Sequence, residues 1–533
     1  MQIVLNIFIS IADVASLALL LFVINFYISE SNSTWAHFLP GWLNDKDSIA
    51  LIAAFFIIFS IKNVLGILIS NAQYKFTGQV AVRISKQKLD NYLQSDYSEF
   101  VNVDSAGQLR KIAFQPYEFC QHILSGIQQV LIQSFLILFT IAATLIYNAQ
   151  LFILLLIILF PPVLLVFFYI KKRLTVTKQH LQVYNERSFQ YLLDALKGYV
   201  EAGIYQRQGF FHDRFVKARG LFSKHLFESL ALQVVPNRII ETFAVLGLFV
   251  LILVVKWINI QDSSTLITIG AFMAAAYKII PGIVKLINAM GQMKAHEVSY
   301  VDLNVQAKDL DKELVSPHPI QSMELKNISF RYNEQEVLSN FSLRIEKGDF
   351  LAIKGRSGKG KTTVFNLLLG FLKPSEGIIA INDMNISPDE IKKYWPQFSY
   401  VRQQSFLIHD TISRNITLEE KDPDKERLEM ALKISGLATL IEQSPEGLHK
   451  MIAENGKNIS GGQQQRIAIA RALYKDASWI LLDEPFNELD DASTNCLLQH
   501  FKNMSDMGKT IVMITHDSKC LFFCNKIISL DEG

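Results

Sequence analysis

Cysteine is scarce in this chain and charge is close to balanced, and each scarcity closes off a class of protein. The four cysteines, Cys120, Cys496, Cys520 and Cys524, are too few and too scattered for a disulfide framework. Cys520 and Cys524 lack a second cysteine pair or a histidine cluster at ligand spacing, so they read as reduced or buried thiols. With 52 Lys and Arg against 50 Asp and Glu, the net charge of +2 gives no electrostatic reason to expect nucleic acid as the main partner. Charged residues are 19% of the 533, against roughly 25% in an average soluble domain. Half of the chain is hydrophobic and the mean hydropathy is +0.22. A charge deficit spread over so long a chain places part of it in lipid. No internal repeat or low-complexity segment is present.

The apolar residues gather in the first part of the chain, in six runs of the length that a bilayer-crossing helix needs, about 20 residues. They are Ile3 to Ile28, Ile49 to Ser70, Ile123 to Tyr147, Leu151 to Ile170, Ile239 to Trp257 and Leu266 to Ile287. Only Asn148, Ala149 and Gln150 separate the third from the fourth, which predicts a tight hairpin at one membrane surface. Basic residues crowd the connection after the second run (Lys75, Arg83, Lys86, Lys88, Arg110, Lys111) and after the fourth (Lys171 to Arg219). Cytoplasmic segments retain Lys and Arg, so both connections, and both ends of the membrane part, are expected on the cytoplasmic side. The first run has no basic leader and no small-residue cleavage pattern, and it is too long for a signal core, so it reads as a retained span. From Lys294 the chain turns polar, and Ser316-Pro317-His318-Pro319 ends any helix. The expected division is a membrane domain over residues 1–315 and a second domain over 316–533. In the latter, apolar strands at Phe350 to Lys354, Trp479 to Leu482 and Thr510 to Thr515 alternate with helical stretches, the pattern of a parallel α/β sheet covered on both faces.

Gly355-Arg356-Ser357-Gly358-Lys359-Gly360-Lys361-Thr362 lies between such a strand and a helix. It satisfies the phosphate-loop pattern in context as well as in letters. Gly355, Ser357, Gly358 and Gly360 let backbone N–H groups wrap phosphates, and Lys361 neutralises their outer oxygens. Thr362 can ligate Mg²⁺, and Thr363 is expected as a further nucleotide contact. A second strand ends in Asp483-Glu484-Pro485 at the carboxyl edge of the sheet, where ligands of such folds bind. An acidic pair after a strand also suits a solvated loop. Downstream of a phosphate loop, Asp483 reads as a Mg²⁺-side acid and Glu484 as the general base for an attacking water.

Between these lies Asn458-Ile459-Ser460-Gly461-Gly462-Gln463-Gln464-Gln465-Arg466, opening a helical run. This stretch resembles the signature of ATP-binding cassette (ABC) proteins, with Ile459 in place of the usual Leu. The resemblance implies that Ser460, Gly461, Gly462 and Gln463 close over the ATP of a second cassette. It also implies that Tyr332 stacks on adenine and that Gln403 touches Mg²⁺ and the attacking water. Asp490 would make a dimer contact, and His516 would hold the γ-phosphate. Alone, Tyr332 reads as a core aromatic and His516 as a surface histidine; the ordered set carries the resemblance. Asn487-Glu488 replaces the family's Ser-Ala before Leu489-Asp490. The chain also stops at Gly533, where cassettes of the family run on, and starts almost directly in its first span.

Six spans followed by one cassette resemble the exporter-type half-transporter. This layout implies short docking helices near Gln94 to Val101 and Ala202 to Gln208, a homodimer, and ATP with Mg²⁺. Charges inside spans are costly and face protein or a wet cavity, which singles out Asp13, Lys62, Glu241, Lys278 and Lys285 as a substrate path. Lys278 and Lys285 are two helical turns apart on one face, with Pro281 and Gly282 between them. They suit an anionic head group, or else Lys285 snorkels to the surface and Asp13 pairs with Lys62 or Lys278. The acid in the first span and Tyr277-Lys278 with Pro281 in the sixth also resemble bacterial lipid-linked oligosaccharide flippases. The expectation is therefore an ATPase in a bacterial inner membrane that exports or flips an amphipathic lipid or peptide. An ATP-gated channel, a regulatory membrane subunit or half of a heterodimer remains the alternative.

Overall fold

The computed structural model describes residues 2–28, 48–95, 97, 105–147, 149–257, 264–296, 318–332, 335–419, 423–442 and 444–531. The chain divides into two compact units, one of residues 1–95 with 103–308 and one of 96–102 with 309–533. The division between 308 and 309, the expected boundary after 315 and the turn at Asn148 all lie outside the described residues.

The first unit is helices joined by short turns over its described residues, with no strand among them. Its apolar runs fall in α1 (Gln2–Ile28), α2 (Ala50–Leu93), α3 (Ser125–Tyr147), α4 (Ala149–Lys197), α6 (Gln208–Trp257) and α7 (Ser264–Ala295), with the short α5 (Tyr199–Ile204) between α4 and α6. A helix bonds every backbone group internally, which is what a lipid environment demands of a spanning segment. Among the described residues, five helical stretches meet the length and hydropathy of a span; the fourth apolar run lies within α4. Where they are described, the basic connections are largely helical, α2 running on to Leu93 and α4 to Lys197. At 1.5 Å per residue, α2, α4 and α6, with 44, 49 and 50 residues, reach about 65 to 75 Å, twice the ~30 Å hydrocarbon core. Lys, Arg, Gln and Leu favour helix in water as well as in lipid, so these stretches carry the helix past the membrane surface, in α6 even through Pro236.

α3 is entered through a helical path with two wide π-helical stretches, Arg110–Phe114 and Phe119–Leu124. They flank Pro116, which lacks an N–H and cannot continue the regular ladder. α7 packs on α3, α4 and α6, and α1 on α2 and α3. Ala271, Ala275 and Ala276 on α7 are buried beside Ile240 of α6, small side chains that let helix backbones approach closely.

The second unit holds two sheets. The five-stranded parallel sheet has the order β6 (Phe398–Val401), β7 (Trp479–Asp483), β8 (Thr510–Ile514), β3 (Phe350–Lys354), β9 (Lys526–Ser529). All residues of β7 and β8 are buried, because helices cover both faces. An antiparallel sheet, β2 (Gln335–Glu346), β1 (Ser322–Tyr332), β4 (Glu376–Ile381), β5 (Met384–Asn385), completes the unit. The sequence does not signal this second sheet. Its strands are half exposed, and β1 slips register against both neighbours around Asn327, whose φ is +49°. Those breaks blur the period-two pattern that marks a strand. Three helices frame the site described next: α8 (Lys361–Leu368), α9 (Gly461–Tyr474) and α10 (Asp491–Asp506).

Candidate functional site

β3 delivers the chain into the 355–360 loop, and the loop opens α8. Gly360, the N-cap of α8, has φ +87°, and a Cβ there would sit 2.7 Å from Val337 Cγ1, so both conformation and space require glycine. Lys361 is buried, with Nζ donating to the carbonyls of Gly355 (2.7 Å) and Arg356 (3.1 Å) and lying 2.9 Å from His516 Nε2. Its ammonium is thus fixed inside the loop. Ser357, Gly358 and Thr362 are exposed on the loop and first turn, whereas Gly355 and Thr363 are buried.

Parallel pairing of β7 with β8 and β6 brings Asp483 beside α8. Thr362 Oγ1 donates to Asp483 Oδ2 at 3.1 Å, and Tyr400 Oη donates to the same oxygen at 3.5 Å. Burial is the main influence on Asp483 and raises its pKa above the ordinary carboxylate value. The charge of Glu484 also raises it, while the Thr362 and Tyr400 hydrogen bonds and Lys361 oppose the rise. Burial first, and Asp483 second, likewise hold the Tyr400 hydroxyl far above the usual phenol value. The Thr362 hydroxyl, the Asp483 carboxylate and the nearby Gln403 amide are a hard-oxygen donor set of the kind that suits Mg²⁺.

Glu484 stands at the centre of the arrangement. Its φ of +48° is unusual for a residue with a side chain, and its N–H donates to the Ile514 carbonyl at 3.0 Å. The side chain, 13% exposed, is held at both oxygens. Gln403 Nε2 donates to Oε2 at 2.8 Å, Asn487 Nδ2 donates to Oε2 at 2.9 Å, and His516 Nε2 lies 3.0 Å from Oε1. The same His516 nitrogen faces Lys361, so it serves one neighbour at a time, accepting from the ammonium or donating to the carboxylate. Four chain segments expected to cooperate, around Lys361, Gln403, Asp483-Glu484 and His516, therefore meet. Asn487 and Tyr400 belong to the same cluster, and sequence reasoning missed both. Asn487 was legible only as a departure from a family pattern, and Tyr400 only as an aromatic near the end of an apolar strand.

Tyr332 ends β1 with 47% of its surface exposed, its ring edge-on to Phe330 at 4.9 Å, so an aromatic face is open to a planar ligand. Ser460 caps α9 in a reciprocal box, its Oγ accepting from Gln463 N while Gln463 Oε1 accepts from Ser460 N. The signature turn leans on the 487–490 turn. A Cβ on Gly462 would fall 2.7 Å from the Glu488 carbonyl oxygen, and one on Gly461 would fall 2.9 Å from Glu488 Oε2. Asp490 caps α10 by accepting from Ser493, and Arg466 of α9 lies 3.5 Å from its carboxylate. The Ser493 backbone hydrogen bond is the first cause of the lowered Asp490 pKa.

In the first unit, a cavity of about 840 Å³ is lined by Asp13, Lys62, Lys278 and Lys285 together with Tyr277 and Gln133. Asp13 Oδ1 lies 2.6 Å from Lys62 Nζ and 3.6 Å from Lys278 Nζ. Glu241 does not join them: it is exposed on α6 and pairs with Arg238 at 3.5 Å. Of the expected docking stretch 94–101, residues 96 and 98–101 lie outside the described residues. Tyr97 belongs to the second unit and stacks on Phe371, centroids 4.9 Å apart. The other stretch, 202–208, forms the end of α5 and a turn in which Gln206 has φ +51°.

Residues 1–277 match the family model of the ABC transporter transmembrane region, and residues 338–487 match that of the ABC transporter. The ATP-dependent lipid A-core flippase of Neisseria meningitidis is 33% identical over 313 residues, 55% of this chain and 48% of that protein. The flippase of the same description from Vibrio vulnificus is 24% identical over 464 residues, 86% of this chain and 79% of its own. The chain spans about half the length of the first of these curated relatives. A bacterial Atm1-family ABC exporter solved with ATP bound superposes with a TM-score of 0.80 at 18% identity, over 100% of this chain and 93% of that one, a likeness of fold. With one match taking in more than half of its residues and a second falling on the phosphate loop, the signature turn and Glu484, the chain belongs to the ABC transporter family.

Proposed function

We propose that two copies of this chain form an ATP-driven exporter or flippase that moves an amphipathic, anionic lipid-linked molecule or peptide outward. The observation that carries the proposal is the Glu484 carboxylate, fixed at both oxygens beside the phosphate loop by Gln403, Asn487 and His516. In this reading the N–H groups of residues 355–360 and the Lys361 ammonium bind the phosphates of ATP. The exposed face of Tyr332 takes the adenine, with Thr363 a further contact. Glu484 accepts the proton of a water attacking the γ-phosphorus as the bond to the bridging oxygen of ADP breaks. Gln403 orients that water, and His516 Nε2 donates to a γ-phosphate oxygen. Thr362, Asp483 and Gln403 would hold Mg²⁺, which when bound neutralises phosphate charge.

Ser460, Gly461, Gly462 and Gln463 of a second copy would close over the same nucleotide at the positive end of α9, with Asp490 at the contact. Both halves of the composite site are present in one chain, so a homodimer suffices. Basic residues flanking the spans support a cytoplasmic side for both ends of the membrane part, in, by analogy with its relatives, a bacterial inner membrane. Asp13, Lys62, Lys278 and Lys285 serve as the substrate path; the exposed Glu241 is outside it.

The test is ATPase activity of the purified chain in nanodiscs, wild type beside Glu484→Gln, with anionic lipids and peptides added. Wild type is expected to hydrolyse ATP with a rate that one compound class changes, and Glu484→Gln to bind ATP but lose roughly a hundredfold or more in turnover, the usual contribution of a general base. Full activity in Glu484→Gln overturns the assignment. ATP-dependent uptake of the same compound class into inverted vesicles separates a transporter from a gated channel.

A further inference from the structure

Asp13 is a single carboxylate shared by two ammonium groups from two other helices, Lys62 of α2 and Lys278 of α7. The three side chains are mostly buried, with 22%, 11% and 22% of their surfaces exposed. Charge in a membrane domain is tolerated when paired, yet here one carboxylate faces two lysines, and Lys285 lines the same cavity. The charged lining thus carries three positive groups against one negative; Lys285 is exposed, and the two mostly buried ammoniums, Lys62 and Lys278, share the one carboxylate. A phosphate monoester supplies ≈ −1.5 to −2 charge and three strong acceptor oxygens, a closer match to two ammoniums than a second carboxylate would be.

The rest of the lining is rich in amides. Asn6 Nδ2 donates to Gln73 Oε1 at 3.3 Å, and Gln73 Nε2 donates onward to Gln128 Oε1 at 2.6 Å. Asn63 and Gln133 line the cavity too. Amides offer donors and acceptors together, which is what hydroxyl groups require. The volume of about 840 Å³ lies within the ordinary range for a ligand pocket.

We propose that this cavity is the head-group site for a lipid bearing a phosphate and hydroxyls, and that Asp13 is a resident counter-ion which the incoming phosphate displaces from Lys62 and Lys278. The proposal deepens the transport reading above and rests on it. It gives Asp13 a defined task. The carboxylate holds the two ammoniums in register before the ligand arrives, and it competes with the ligand, limiting affinity so that the head group can leave. A lipid without a net negative head group gains nothing by displacing it.

The experiment is competition against a fluorescent-tailed phosphatidic acid bound to the full chain in detergent micelles. The competitors are unlabelled phosphatidic acid, phosphatidylcholine, glucose 6-phosphate and inorganic phosphate. Phosphatidic acid is expected to compete and phosphatidylcholine not to. Asp13→Asn is expected to bind phosphatidic acid about five- to tenfold tighter, and Lys62→Gln or Lys278→Gln to bind it about tenfold more weakly, the scale of a partly screened charge pair. The double variant Asp13→Asn/Lys62→Gln should return near wild type. Should Asp13→Asn alone not purify as a monodisperse protein, Asp13→Ser and the double variant make the same comparison.

Unchanged or weaker binding in the Asp13 variants overturns the counter-ion role. Competition by phosphatidylcholine equal to that of phosphatidic acid overturns the phosphate site, and glucose 6-phosphate or inorganic phosphate competing as well as the lipid overturns the lipid head group as its source. ATPase activity on the same preparations keeps the two readings apart. If turnover persists while the variants fail to discriminate, the head-group site falls and ATP-driven transport stands; if turnover is absent, the transport reading falls by itself.

Discussion

Asn487→Ala tests whether the geometry around Glu484 is the machinery of hydrolysis. Asn487 Nδ2 donates to Glu484 Oε2 at 2.9 Å, beside the 2.8 Å donation from Gln403 to the same oxygen. A hydrogen bond to a charged group contributes about 1.5 to 3 kcal/mol when nothing replaces it. Glu484 keeps 13% of its side chain exposed, so water recovers part of that, and a loss of about 1 to 2 kcal/mol of positioning remains, equivalent to about 5- to 30-fold in kcat. Gln403 and His516 still hold the carboxylate, which keeps the loss well below that of Glu484→Gln. The assay is steady-state ATP hydrolysis in nanodiscs with ATP affinity measured in parallel. A positioning role lowers kcat and leaves KM and affinity near wild type. A kcat within about twofold of wild type, or an effect confined to KM, refutes the reasoning.

Two further outcomes are expected. Burial raises the Asp483 pKa in the folded state, so the group favours folding below its unfolded value near ~3.9 and loses that contribution as pH rises through the folded value. At neutral pH its ionised form is a cost, and Asp483→Asn should raise the melting temperature of nucleotide-free protein at pH 7.5 while abolishing turnover. The gain should shrink on acidification, and an unchanged or lower melting temperature at pH 7.5 counts against it. Gly462→Ala places a Cβ 2.7 Å from the Glu488 carbonyl oxygen and should cost about 1 to 3 kcal/mol of strain. Because that strain falls on the turn carrying Asn487, turnover should drop while ATP affinity of the isolated chain holds; equal turnover means the turn yields without consequence.

The chain's local chemistry was open to reading from the residues themselves. Apolar runs long enough to cross lipid, glycines spaced to wrap phosphate, and an acidic pair after an apolar strand each follow from short stretches of sequence, because each is set by neighbours within a few residues. The ordered set from Tyr332 to His516 was legible by resemblance. Tertiary structure decided which distant groups share an atom. Gln403, Asn487 and His516 converge on Glu484 only because β6, β7 and β8 pair in parallel and align their carboxyl ends. The antiparallel sheet stayed hidden because half-exposed strands with slipped register carry little pattern.

The membrane domain draws the same line. Sequence marked five charged residues in the spans, but burial cost is the same for each until a partner is known. Packing of α1, α2 and α7 joined Asp13 to Lys62 and Lys278 and left Glu241 exposed on α6. Charge pairs act over a few ångströms, whereas these residues are separated by tens to hundreds of positions, and only the fold converts one distance into the other.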